Sequence, residues 1–274
     1  MTMSEIDSGF KAKRTSLRIF QSVLFALFLR EMQTRFGARR MGVVWVVMEP
    51  LSILVVILTF YAFFKVSPVQ GLDFIIYMVS GIVPFHMMRN ISWRMIDAIQ
   101  ANQGLFSYRQ VLPFDTFIAR MVVEICVYSC AYVIICFFLG FWFDHDVLIS
   151  DPLAWCLSIA MGIVVAFSIG VLFAIIGHAF PRLKLALRLS YLPIYLTSGV
   201  FYPVWRISDE KLSWLAWNPY LEVIDNVRSS MFASYPKVEQ LDVFYPIYFS
   251  CFALFLSMLL YRWRREDLRK FTQT

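Results

Sequence analysis

Apolar runs recur along the chain in blocks close to the roughly 20 residues a helix needs to cross a bilayer, separated by short segments that collect the charge. This pattern predicts six membrane spans, at residues 41–64, 72–93, 113–143, 153–180, 189–204 and 243–261. The fourth lies within Pro152–Pro181, which contains no Asp, Glu, Lys or Arg, whereas the first is interrupted by Glu49 and the second carries Arg89 near its end. The fifth is short and holds Pro193 and Pro203, so a discontinuous or partly crossing segment is expected. Ahead of the first span, residues 15–36 follow the basic stretch Lys11-Ala-Lys-Arg14 and imitate a secretory signal, but Leu29 runs into Arg30-Glu31-Met32 with no small-residue cleavage site. An amphipathic helix in the membrane interface is the reading for this segment, with a helix packed on the bundle without lipid contact as its alternative.

Direction follows from the basic residues on alternate sides of these spans. Residues 1–40, 94–112, 181–188 and 262–274 together hold eighteen Lys and Arg, against five in Lys65 and residues 206–242, which places both termini in the cytoplasm. The net charge of +6 is therefore mainly a topology signal and gives no reason to expect nucleic acid, although a basic flank also suits anionic membrane lipid. Of the 274 residues, 59% are hydrophobic and 16% charged, and the mean hydropathy is +0.65. An aqueous core cannot absorb that much apolar surface, so soluble enzyme classes are excluded and one all-α membrane domain covering 1–274 is expected. The five cysteines (Cys126, Cys130, Cys136, Cys156, Cys251) lie in apolar runs without a CxxC pair and read as small buried hydrophobes.

Polar residues inside the apolar blocks mark the candidate chemistry. Glu49 sits about 12 Å into the first span and directly precedes Pro50, a combination that suits a kinked, cavity-lining element. Arg89, Arg94 and Arg120 fall near the same depth and are its expected partners, as a gate or as a structural salt bridge. Arg120 and Glu124 are one turn apart and are expected to pair with each other while Arg120 snorkels. In the fourth span Ala154, Ser158, Gly162, Ala166, Gly170 and Ala174 recur every four residues, the small-xxx-small pattern of closely packed membrane helices, for which a packing role is predicted. Between spans two and three, Met95, Ile96, Ile99, Leu105 and Phe106 form an apolar set suited to an amphipathic helix that presents it to another protein. Residues 206–242 are rich in rings, among them Trp214, Trp217, Tyr220, Phe232 and Tyr235, which suit either an interfacial aromatic belt or stacking against sugar faces.

Several chemistries are missing. There is no GxxxxGK[ST] phosphate loop, so powered transport requires a separate ATPase. His86, His145 and His178 are scattered by depth and side and form neither HExxH nor a three-ligand metal set. No intramembrane serine-protease Gly-x-Ser-Gly occurs, and catalysis has no constellation to sit on.

Arg35-Phe36-Gly37, Arg40, Gly42, Trp45 and Glu49-Pro50 closely resemble the opening signature of polysaccharide-exporting ABC permeases. Ala101-Asn-Gln-Gly-Leu-Phe106, Tyr108-Arg109, Pro113-Phe-Asp115 and Ile118-Ala-Arg120 resemble the capsular-polysaccharide branch, and Phe201-Tyr-Pro203 and Trp217-Asn-Pro219 also fit. The order and spacing of these motifs extend from about Leu24 to Tyr261. The resemblance implies an inner-membrane permease acting as a homodimer with two ATP-binding subunits, which would bind the ATP and Mg2+; no cofactor is expected on this chain. It further implies periplasmic co-polymerase and outer-membrane export partners, an acidic, lipid-linked capsule polymer as cargo, and short re-entrant helices at 204–220. The segment between spans two and three becomes the coupling element, with Arg94, Met95, Ile96, Ile99, Asn102, Gln103, Leu105, Phe106 and Arg109 as its residues. Trp45, Glu49, Arg89, Tyr195, Phe201, Tyr202 and Arg206 are candidates for the translocation path by depth and type. An exporter of O-antigen, teichoic acid or another lipid-linked glycan is the alternative, and a secondary transporter is the alternative of a different class, which inverted repeats and midplane ionisable residues would mark.

Overall fold

The computed structural model describes residues 16–37, 48, 51–53, 55, 56, 59, 63, 71–108, 110–236, 238 and 240–264. Among these residues the chain is helical and contains no strand. In order, the helices are α1 (Ser16–Gly37), α2 (Phe74–Met95), α3 (Ala98–Ala101), α4 (Pro113–Trp142), α5 (Pro152–Ala179), α6 (Lys184–Leu189), α7 (Tyr191–Thr197), α8 (Asp209–Leu215), α9 (Pro219–Met231) and α10 (Tyr245–Arg264). Four of them, α2, α4, α5 and α10, are long and apolar enough to cross a membrane. They coincide with the second, third, fourth and sixth predicted spans, while most of the first lies outside the described residues.

The predicted fifth span is not one helix. Of its residues, Leu189 ends α6 and Tyr191–Thr197 form α7, which stops ahead of a turn through Gly199, whose φ of +71° suits only glycine without strain. Pro193 sits in the first turn of α7, where a missing N–H costs little, so the break falls before it and after Thr197 instead.

Local chemistry sets the other ends. Pro113, Pro152 and Pro219 each open a helix at a position where the absent N–H has no intrahelical partner. Asp73 caps α2 by accepting from the Ile75 and Ile76 amides at 2.9 and 3.3 Å, and Asp151 caps α5 through the Ala154 amide at 3.0 Å. Asn218 accepts from the Tyr220 amide at 3.0 Å and donates to the Ile194 carbonyl and Thr197 Oγ1, both at 2.9 Å, which ties the start of α9 to α7.

Helix α2 is the innermost element, packed by α4, α5 and α9. The small residues of α5 make that packing close. Gly162 leaves room for Met88 and Val223, Gly170 sits against Ser92 and Met95, and Ala166 and Ala174 are fully buried. Close approach lets the Ser92 hydroxyl donate to the Ala166 carbonyl at 2.7 Å, an interhelical bond that a larger side chain at these positions would prevent.

Helix α1 runs beside α4 in the same direction, with Phe28, Met32 and Phe36 against Val123, Val127 and Ala131. Its outward residues include Leu17, Phe20, Phe25 and Leu29, whereas Glu31 and Arg35 turn inward. Arg18, Gln21, Gln33 and Thr34 are exposed as well, and this mixed outward face suits a helix at the membrane interface.

Candidate coupling and translocation sites

At the C-terminal end of α2 the chain gathers opposite charges from helices far apart in sequence. Glu124 of α4, whose side chain is fully buried, bonds to both Arg35 of α1 and Arg94 of α2, the latter at 2.6 Å. One turn earlier on α4, Arg120 pairs with Glu31 of α1 at 3.0 Å and also donates to the Arg94 carbonyl. The expected Arg120–Glu124 pair within α4 is therefore corrected: each finds its opposite charge on another helix, where the pairing joins elements instead of stiffening one.

The segment following α2 is wired into the same cluster. Asn102 donates to Glu31 Oε1 at 3.2 Å and to the Ala98 carbonyl at 2.9 Å, and it accepts from Arg30, which also reaches the Ala101 carbonyl at 3.2 Å. On its other side Asp97 accepts from Lys184 at 2.9 Å and from Arg188, so the turn into α6 is tied to the same segment. Five basic residues and three carboxylates from α1, α2, α4, α6 and the 96–108 segment thus gather in two groups, one around Glu31 and Glu124 and one around Asp97, joined through the backbone of residues 94–102.

The apolar set that the sequence offers to another protein is consumed within the chain. Met95, Ile96 and Ile99 are fully buried, Phe106 nearly so, and Leu105 half-buried. These side chains fill the space between the ends of α2, α4 and α5, the hydrophobic outlet nearest to them. What remains on the surface is a short tip of Gln100, Ala101, Gly104, Ser107 and Tyr108, with Tyr108 66% exposed. Gln103 is half-buried beside it, and Arg109 lies outside the described residues. A crevice of about 510 Å3 runs between this tip and α1, lined by Ile19, Val23, Leu27, Arg30, Leu105 and Val111 among others.

Of the residues predicted for the translocation path, Trp45 and Glu49 lie outside the described residues. Of the partners expected for Glu49, Arg94 engages Glu124, Arg120 engages Glu31, and the Arg89 guanidinium lies 4.6 Å from the centre of the Trp93 ring. Tyr195 and Phe201 do come together: Tyr195 stacks on Phe85 with centroids 4.5 Å apart and meets Phe201 edge-on at 4.6 Å. The Tyr195 hydroxyl is hydrogen-bonded to His86 Nε2 at 3.3 Å, one turn of α2 from Arg89. Tyr202 joins through its backbone, its carbonyl accepting from the Tyr77 hydroxyl at 3.1 Å, and Arg206 is exposed in the turn Val204–Arg206.

The residue that sequence reasoning passes over is Arg228 of α9. It is fully buried and lies at the opposite end of α2 from the ionic assembly, beside Tyr77 and Gly81. A signal for it exists: Tyr220, Ile224, Val227 and Met231 trace the apolar stripe of α9, and Arg228 falls inside that stripe. Nearby on the same helix, Asp225 accepts from the Tyr235 hydroxyl; burial, against the bond to Tyr235 and the charge of Arg228, pushes its carboxyl up to about 6. Burial and the neighbouring Asp242 push Glu222 up to about 8.

Residues 22–232 match the family described as ABC-2 type transporter. The chain is 32% identical over 264 residues to the polysialic acid transport protein KpsM of Escherichia coli, covering 95% of this chain and 98% of that protein. It is 31% identical over 222 residues to the capsule polysaccharide export inner-membrane protein CtrC of Neisseria meningitidis serogroup A, covering 79% and 82%. To the capsule polysaccharide export inner-membrane protein BexB of Haemophilus influenzae it is 30% identical over 226 residues, covering 80% and 82%.

Proposed function

The chain belongs to the ABC-2 type transporter family, and from that premise we propose that it is the membrane-spanning subunit of an ATP-driven exporter carrying capsular polysaccharide across the bacterial inner membrane. The names of its relatives support the cargo class and the membrane. In this reading two copies of the chain, each with six spans and cytoplasmic termini, enclose the path. Two separate subunits bind ATP and Mg2+, and periplasmic and outer-membrane proteins carry the polymer onward. The polymer is acidic and lipid-linked.

The observation that carries the proposal is the ionic assembly around residues 94–102. A motor pushing on the exposed tip at 100–108 moves a segment whose side chains are bonded to α1, α4 and α6 and whose backbone continues into α2 and α4. Buried charge pairs resist separation because each lost partner leaves an unpaired charge, at a cost of about 3–5 kcal/mol. Force at the tip is therefore delivered to several helices together, as a gate requires, and not absorbed by one flexible loop. The crevice between the tip and α1 offers the ATPase an apolar seat with Arg30 at its edge.

Further along, Tyr195 and Phe201 are half-buried rings backed by the fully buried Phe85 and His86, and Arg89 is a half-buried cation one turn of α2 from His86. Rings contact sugar C–H faces without a deep well, and a cation attracts anionic groups through long-range potential, so a long acidic polymer can slide.

The test is co-purification of the full chain from its native membrane, followed by ATPase and export measurements. The proposal expects a nucleotide-binding subunit to accompany the chain, and Arg89→Ala to reduce export while that complex persists. A chain that purifies without any nucleotide-binding partner overturns it.

A further inference from the structure

Arg228 is a cation whose direct hydrogen bonds all go to neutral groups, the Asp225 carboxyl acting on it only through space. Its Nη1 donates to the Tyr77 hydroxyl at 2.7 Å and to the Gly199 carbonyl at 2.6 Å, and its Nη2 donates to the Val200 carbonyl at 2.6 Å. The guanidinium carbon lies 3.7 Å from the centre of the Tyr77 ring. Among the described residues no carboxylate forms an ion pair with it, and Asp225, one turn away on α9, is taken up by Tyr235. Tyr77 in turn donates to the Tyr202 carbonyl at 3.1 Å. Two glycines make the arrangement possible. A Cβ on Gly81 would sit 2.5 Å from Arg228 Nη2, and one on Gly199 would meet Val204 and Leu221 at 2.9 and 3.0 Å.

These contacts converge on one piece of chain, residues 199–202, which closes the broken helix α7 and carries Phe201 and Tyr202. Three carbonyls of that turn, those of Gly199, Val200 and Tyr202, are bonded to Arg228 or to the tyrosine that Arg228 engages. Phe201, between them, packs on Tyr195. We propose that Arg228 is the positioning residue of a latch that holds the 199–202 turn, and with it the Phe201–Tyr195–Phe85 ring cluster, in a closed arrangement at the far end of the path. The proposal rests on the exporter reading above and adds to it the residue that sets the resting state of this end.

The chemistry suits a latch that opens. Separating an arginine from a buried carboxylate strands two charges, whereas withdrawing two carbonyls from Arg228 strands one cation that keeps the Tyr77 ring and hydroxyl. The freed carbonyls, on a turn next to a path that fills with water and polymer, find new donors there. Release is thus less costly than at the opposite end of the molecule, and it is coupled to the position of α9.

The experiment uses the full chain with its co-purified ATPase subunit in proteoliposomes, reading resting leak of a small anionic dye without ATP. Wild-type vesicles are expected to hold the dye. Arg228→Met should raise the resting leak about tenfold or more, because a shift of this size in the closed–open balance follows from losing one set of buried bonds. Arg228→Lys, which keeps the charge without the two-pronged geometry, should leak at an intermediate level. Tyr77→Phe, which preserves the ring and removes both hydroxyl contacts, should raise leak by a smaller factor and serves as the readout if Arg228→Met does not assemble. A purely structural arginine would lower yield in proportion to leak and would not be rescued in order by Lys. Vesicles of Arg228→Met or Tyr77→Phe as tight as wild type overturn the latch. Retention of the ATPase subunit is measured on the same preparations, so failure of the exporter reading registers there and failure of the latch registers in the leak.

Discussion

At the C-terminal end of α2, three carboxylates, Glu31, Glu124 and Asp97, pair with five basic groups, Arg35, Arg94, Arg120, Lys184 and Arg188. At its N-terminal end, Arg228 relies on two carbonyls, a hydroxyl and a ring. Both ends bury basic groups within one helix length of each other, so composition alone does not distinguish them. Their acceptors do. Ion pairs that join α1, α2, α4 and α6 make an assembly that moves as a unit or breaks at high cost, while carbonyls of a single turn make a contact that can be exchanged for water. On the proposed function, the first kind of joint lies where force would enter and the second where the path would open.

The comparison is broken most severely at Glu124. Replacing it with Gln leaves Arg35 and Arg94 without their shared carboxylate, and a loss of about 3–5 kcal/mol is expected. Export should collapse and the thermal unfolding temperature should fall, and an Arg35→Met, Arg94→Met, Glu124→Met triple variant should recover much of the stability but not the export. Recovery of both would show that the charges only pack the helices. At the other end, Gly81→Ala forces a methyl into the guanidinium. We expect a cost of about 1–3 kcal/mol and a resting leak between those of wild type and Arg228→Met.

The ionic end is sharpened by Tyr108→Ala on its exposed tip. With a ring that touches little of its own chain, the substitution should leave stability unchanged and weaken association with the ATPase subunit by about 2 kcal/mol, as for an aromatic anchor. Titrating the subunit onto purified chain measures this, and unchanged affinity removes Tyr108 from the interface.

A smaller effect is expected from Glu222, whose carboxyl is raised from 4.5 to about 8 by burial and by Asp242. A group with a raised folded-state value binds its proton more tightly when folded. Its stabilising contribution is therefore full below about pH 4.5 and is lost as pH climbs toward 8. Thermal stability should drift downward across that window and flatten in Glu222→Gln; an identical drift in the variant would assign it to other groups.

Much of this architecture was legible in the sequence because the bilayer imposes a simple rule of length and polarity. The charge-free fourth block is α5, the small-residue stripe packs on Ser92 and Met95 of α2, and the prolines of the fifth block accompany a broken segment. What was not legible depends on which helices meet. Arg120 and Glu124 sit at the spacing of a local pair, and only the placement of α1 beside α4 reveals that Glu31 and Arg35 are nearer answers. The 95–106 apolar set has the periodicity of a docking face, yet the ends of α2, α4 and α5 leave a space that the same residues fill. Arg228 was readable as an intrusion into an apolar stripe, but its partners are backbone carbonyls, which carry no sequence signature.

The central claim is that force enters through the tip at 100–108 from the cytoplasm. Its most direct measurement places a single cysteine at Tyr108 in a chain whose five native cysteines are replaced, and tests crosslinking to the co-purified ATPase subunit alongside labelling by a membrane-impermeant thiol reagent in intact cells. The account predicts an ATP-sensitive crosslink and no labelling from outside the inner membrane. Labelling of that cysteine from the periplasm, with no crosslink, would contradict it.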